Sequence, residues 1–146
     1  MGTFIIDCSK VGRISFGAGM IMYGSIVATV KKCEENENLT IYKGSDGYAG
    51  TSETFILENG TFDNLLKTIV GLDSSLFEEI DEDYYQVAGE EADEAAEWYV
   101  IISDADDNQL LSITGSPSCE AFDVISSALI KECDRLKCVK DFFEFE

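Results

Sequence analysis

Cys119 is the side chain whose position best suggests a nucleophile. It falls in the first turn of a helix that Ser116 and Pro117 begin, where backbone amides and the helix dipole favour a thiolate. Glu120 beside it opposes that anion, and the sequence has no histidine to activate it, so a packed thiol is expected. The missing histidine also removes Ser-His-Asp triads, Cys-His dyads, His-ligated metals and imidazole acid/base chemistry. Asp104, Asp106 and Asn108 alternate as at the start of a calcium loop. The pattern then fails, with Gln109 where glycine is needed and Gly115 where the bidentate glutamate belongs.

Other constellations are weaker. The five cysteines, at 8, 33, 119, 133 and 138, include no CxxC pair, which argues against zinc and for reduced thiols packed in a core. Gly17, Gly19 and Gly24 do not match a phosphate-cradling G-x-G-x-x-G, because the third glycine is misplaced and no helix follows. Carboxylates abound, yet nothing singles out two of them for paired acid/base work. The expectation is a protein that is not an enzyme and carries no metal or cofactor.

Charge is the most informative feature. The 146 residues hold 29 Asp plus Glu against 10 Lys plus Arg, for a net charge of -19. Between Thr68 and Ile130 there is no Lys or Arg, and sixteen acids lie there, most densely over 73–107. Adaptation for solubility spreads acids evenly, whereas concentrated like charge costs stability through self-repulsion unless something offsets it. Direct binding to nucleic acid or to an anionic membrane surface is disfavoured for the same reason. Sixteen charges match those on about 27 Å of duplex DNA, and a domain of this length is about 40 Å across, so a decoy for a nucleic-acid-binding groove is physically reasonable.

The expected partner surface comprises Glu78, Glu79, Asp81, Glu82, Asp83, Glu90, Glu91, Asp93, Glu94 and Glu97, with Tyr84, Tyr85 and Trp98 as aromatic anchors. A solvated acidic face explains the same run without any partner.

These residues need a scaffold, and the pattern predicts an α+β one. From Ile14 to Val30 the chain is uncharged for 17 residues, but its glycines, serines and β-branched residues argue for strands rather than a membrane span. A two-residue turn at Gly24-Ser25 is expected to join Met20–Tyr23 to Ile26–Cys33, with a bulge or a close backbone approach at Gly17-Ala18-Gly19. Thr3–Asp7, Leu39–Lys43 and Ser52–Leu57 read as further strands.

Thr61 should cap a helix over Phe62–Val70, and Asp73 or Ser74 a short one through Ile80. Trp98–Ser103 and Gln109–Thr114 form a hairpin, and Pro117–Leu136 the longest helix. The Phe-rich tail from Val139 reads as a last edge strand, with a linear docking motif as the other reading. Residues 1–146 are thus expected to make one domain, a mainly antiparallel sheet with two principal helices on one face. Two ββα-like halves joined edge to edge are a further expectation.

The reading that follows is a small, non-enzymatic, cytoplasmic protein that inhibits or sequesters a partner with a basic, nucleic-acid-binding surface. Its size and charge resemble those of phage-encoded counter-defence and anti-restriction proteins, an analogy of composition and not of motif. The alternative is a small-molecule-binding or regulatory module with its ligand over Gly17, Gly19 and Gly24. Assembly into a homo-oligomer is compatible with either.

Overall fold

The computed structural model describes residues 7–20, 24–45, 48–72, 77–81, 84–87, 96–115 and 120–142. After a 3₁₀ turn at Cys8–Lys10 the strands are β1 (Val11–Met20), β2 (Gly24–Lys32), β3 (Glu37–Ser45), β4 (Tyr48–Leu57), β5 (Phe77–Asp81), β6 (Tyr84–Val87), β7 (Ala96–Asp104) and β8 (Gln109–Gly115). The helices are α1 (Thr61–Val70), α2 (Glu120–Glu132) and α3 (Lys137–Asp141), with a 3₁₀ turn at Asp134–Leu136 between the last two. All strands join one sheet in the order β4-β3-β2-β1-β7-β8-β6-β5. The first six are antiparallel throughout, β6 pairs with β8 in parallel, and β5 is antiparallel to β6.

Period-two alternation builds the core. Ile14, Phe16 and Ala18 on β1, Ile26, Ala28 and Val30 on β2, and Trp98, Val100 and Ile102 on β7 are all buried. Register aligns them into rows, one running Phe55, Leu39, Val30, Ile14, Ile102 and Leu111 from β4 to β8. Ser15, Gly17, Gly19, Thr29 and Thr40 alternate with these residues. Small and hydroxyl-bearing residues thus alternate with apolar ones along the middle of β1 and β2, which is why the chain has a long uncharged run without a membrane helix. No helix among the described residues is long and apolar enough to cross a membrane.

The helices close over the apolar rows, so the α+β class and the placement of both principal helices on one face agree with the sequence. α1 buries Phe62, Leu65, Leu66 and Ile69. α2 sets Phe122 against Trp98, at 5.4 Å between ring centroids, and against Phe16 at 6.5 Å.

Several local expectations are corrected. Thr61 is the first helical residue rather than the cap; its hydroxyl donates to the Glu58 carbonyl. The Glu37 carboxylate caps α1 instead, accepting from the backbone N–H groups of Gly60 and Phe62. Gly24 and Ser25 are strand residues and not a turn, pairing with Met20 and Gly19; Gly24 uses its freedom at φ 99° as the first residue of β2, and residues 21–23 lie outside the described residues. Pairing of β1 runs unbroken through Gly17–Gly19, so there is no bulge, and the irregularity lies at Val11–Arg13.

Phe77–Asp81 is a strand and not helical, because three apolar residues at helical spacing count for less than pairing with β6 at the sheet edge. The helix expected through Leu136 ends at Glu132 in α2, and Cys133 is extended at φ −149°. The apolar stripe survives this break: 3₁₀ geometry keeps positions three apart on one side, so Cys133, Leu136 and Val139 all stay buried. Val139–Asp141 is helical and so is not the start of an edge strand; among the described residues the sheet edges are β4 and β5. The hairpin–helix units β3–β4–α1 and β7–β8–α2 both form, but β2 and β1 lie between them in the sheet. Thr3–Ile6, Ser116–Cys119 and the chain after Phe142 lie outside the described residues.

Candidate functional site

The segment with the most acids supplies one end of the sheet. Between 73 and 115 the sequence has fourteen acids and no Lys or Arg. Strands β7, β8, β6 and β5, all drawn from residues 77–115, are consecutive neighbours in the sheet. At roughly 4.8 Å per strand they span about 14 Å. Glu78, Glu79 and Asp81 are in β5 at the outer edge, Tyr84 and Tyr85 in β6, Glu97 near the start of β7 and Asp104 at its end. Glu82, Asp83, Glu90, Glu91, Asp93 and Glu94 lie outside the described residues.

Two carboxylates at this end are fixed by hydrogen bonds. Glu97 is exposed, and the Thr114 hydroxyl across the β7–β8 pair donates to it. Asp104 closes the β7–β8 turn: one oxygen accepts from the backbone N–H of Asp106 and of Asn108, each at 2.9 Å, and the other from the Asn108 side-chain amide at 3.0 Å. The Asn108 side chain and backbone, followed by the Asp106 backbone, hold this carboxyl below its ordinary value. The turn therefore consumes the oxygens that a calcium loop would need. Among the described residues no group of three or more His, Cys, Asp or Glu is placed to hold a metal.

Asp107 takes a left-handed conformation at φ 67° and pairs with Arg13 of β1. Among the described residues this is the one ion pair at the acidic end; Lys32 with Asp63 and Lys140 with Asp123 are elsewhere.

The aromatic anchors are placed differently from expectation. Trp98 is fully buried at 0% exposure against Phe122, so it is a core residue and cannot contact a partner. Alternation decides this: Glu97 and Tyr99 lie on the other face, and Trp98 between them must face the helices. Tyr85 is half-buried and packs on the core beside Ile113.

Of the glycines considered for a ligand, Gly17 is buried beneath the Tyr99 ring, which occupies the space a Cβ would take. Its close contact is thus with its own chain. A Cβ at Gly19 in β1 would meet the Gly24 carbonyl and the Ser25 side chain at 4.0 Å, and Gly24 begins β2. Burial, then the Glu97 charge, pushes the Tyr99 hydroxyl up. Cys133 is buried and Cys138 half-buried, and burial pushes both thiols up, whereas Cys8 and Cys33 are exposed, so core packing holds for only some of the cysteines.

Two features carried no sequence signal. The Glu37 cap joins residues 25 apart. Arg135 lies over the Phe55 ring at 3.9 Å from its centroid, joining residues far apart in the chain beside a groove at the opposite end of the sheet. No known family model matches the sequence, and no curated protein is significantly similar to it.

Proposed function

We propose that the protein is a non-enzymatic acidic binder that inhibits or sequesters a partner through that partner's basic, nucleic-acid-binding surface. One observation carries the reading: the segment with fourteen acids and no cation is also the segment that forms four adjacent strands. A charge run in sequence could scatter around a fold. Here its strands share one end of one sheet, and only Arg13 neutralises an acid there among the described residues.

Carboxylates at such density meet Arg and Lys side chains that otherwise hold phosphates, which favours fast, salt-dependent association with a basic groove. Trp98 is in the core and Tyr85 is partly so, and the reading therefore rests on the carboxylates. Direct nucleic-acid binding and membrane binding have no part in this reading, and its setting is the cytoplasm.

The test is capture of partners from source-cell lysate, by the wild type and by a variant with Gln or Asn at Glu78, Glu79, Glu90, Glu91 and Asp93. A nucleic-acid-binding protein should be captured at low salt, released by added duplex DNA and lost with the variant. Capture that neither duplex DNA nor neutralisation changes would overturn the proposal.

A further inference from the structure

The opposite end of the sheet has a contrasting character. A groove of about 270 Å³ runs between β3–β4 and the C-terminal helical segment, with Ile41 and Phe55 as apolar lining and Lys43, Arg135 and Cys138 around them. Beyond Lys43 and Cys138 it continues into a second stretch of about 470 Å³ that reaches Ile26 and Phe142.

Of the ten cations, Arg13, Lys32 and Lys140 form ion pairs with described residues; Lys43 and Arg135 are among those that form neither an ion pair nor a side-chain hydrogen bond to any described residue, and they are distinguished by their place. Both line the same groove. The Arg135 guanidinium carbon lies 3.9 Å from the Phe55 ring centroid, and its side-chain N–H groups donate to no described residue. Glu53 and Asp141 also border the groove, and neither lies within ion-pairing distance of these two cations.

The acidic strands are remote from these two cations. β3 is three strand spacings from β7, about 14 Å, and the Debye length at physiological ionic strength is about 8 Å. Cys138 in the groove wall is half-buried; burial pushes its thiol up, and the Lys43 charge acts against that.

We infer that this groove binds a small organic anion, an apolar body bearing one carboxylate, with Lys43 and Arg135 receiving the carboxylate and Ile41, Phe55 and Ile26 contacting the apolar body. A single negative charge fits better than a phosphate dianion, because Glu53 and Asp141 border the same groove. The site is independent of the proposed acidic interface and lies at the other end of the sheet.

The experiment is a titration of the ¹⁵N-labelled full chain with octanoate, followed by backbone amide shifts. 1-Octanol serves as the uncharged counterpart and inorganic phosphate as the anion without an apolar body. Octanoate should give saturable shifts confined to β2, β3, β4 and the segment from Asp134 to Phe142, and bind at least about tenfold more tightly than either control. Lys43→Gln and Arg135→Gln should each weaken octanoate about tenfold without changing the response to octanol. Both side chains are exposed, and unchanged spectra of the free variants would verify their fold. No saturable shift at millimolar octanoate, equal binding of octanol, or wild-type affinity in both variants would overturn the inference.

Discussion

The Glu37 carboxylate accepts the backbone N–H of Phe62 at 2.6 Å and that of Gly60 at 2.7 Å, so a residue of β3 supplies the N-terminal cap of α1. Glu37 is only 5% exposed, and its charge is satisfied by amides that the first turn would otherwise leave unpaired. The contact fixes the helix on the sheet as well as capping it. Glu37→Ala should therefore lower unfolding stability by about 2 kcal/mol, and Glu37→Gln, which keeps one acceptor, by about half as much. Urea denaturation of the two variants measures both.

Trp98 and Phe122 form the centre of the core at the β1–β7 seam. Trp98→Ala should cost about 3–5 kcal/mol, by transfer and cavity terms together. Because the chain has one tryptophan, its fluorescence gives a direct check: emission should be blue-shifted and resist iodide quenching in the native state. A quenchable, red-shifted signal would return Trp98 to the surface.

Gly17 and Tyr99 are coupled by space. A methyl group at Gly17 would overlap the Tyr99 ring, so Gly17→Ala should destabilise the fold by about 1–3 kcal/mol. In a Tyr99→Ala background the same change should cost much less. A double-mutant cycle by thermal or urea unfolding reads the difference as coupling energy.

The Asp104 turn predicts a pH dependence. Hydrogen bonds hold this carboxyl below its ordinary value of 3.8, so the unfolded chain takes up the proton first as the pH falls. The contribution is present above 3.8 and is lost as the pH drops through the lower, folded value. Asp104→Ala should be less stable than wild type at neutral pH and show a shallower loss of stability between about pH 5 and pH 3. Equal slopes would remove the turn from acid denaturation.

The raised thiols act at the other extreme. Burial favours the neutral forms of Cys133 and Cys138, so their contribution is intact below the ordinary value of 9.0 and fades as the pH rises through their higher, folded values. Replacing Cys138 with Ala should flatten the alkaline side of the stability profile, measured by urea unfolding at increasing pH.

Sequence by itself determined the α+β class, the β7–β8 hairpin, the β1–β4 strand region, α1 and the concentration of acids. Each of these depends on neighbours in the chain: alternation for β7, three-and-four spacing for α1, and simple counting for charge. Tertiary structure decided what depends on distant partners. Phe77–Asp81 has too few residues to declare its own state, and pairing with β6 made it a strand.

The apolar stripe through Leu136 is equally compatible with one helix or with a helix and a 3₁₀ turn, since both keep residues three apart on one side. Trp98 looked like an interface anchor because it sits among acids, yet its place between Glu97 and Tyr99 on a strand sent it to the core. The Glu37 cap and the Arg135–Phe55 stack could not be read from sequence at all. A hydrogen bond or ring contact between residues so far apart leaves no periodic trace, and only the sheet order brings their side chains within reach.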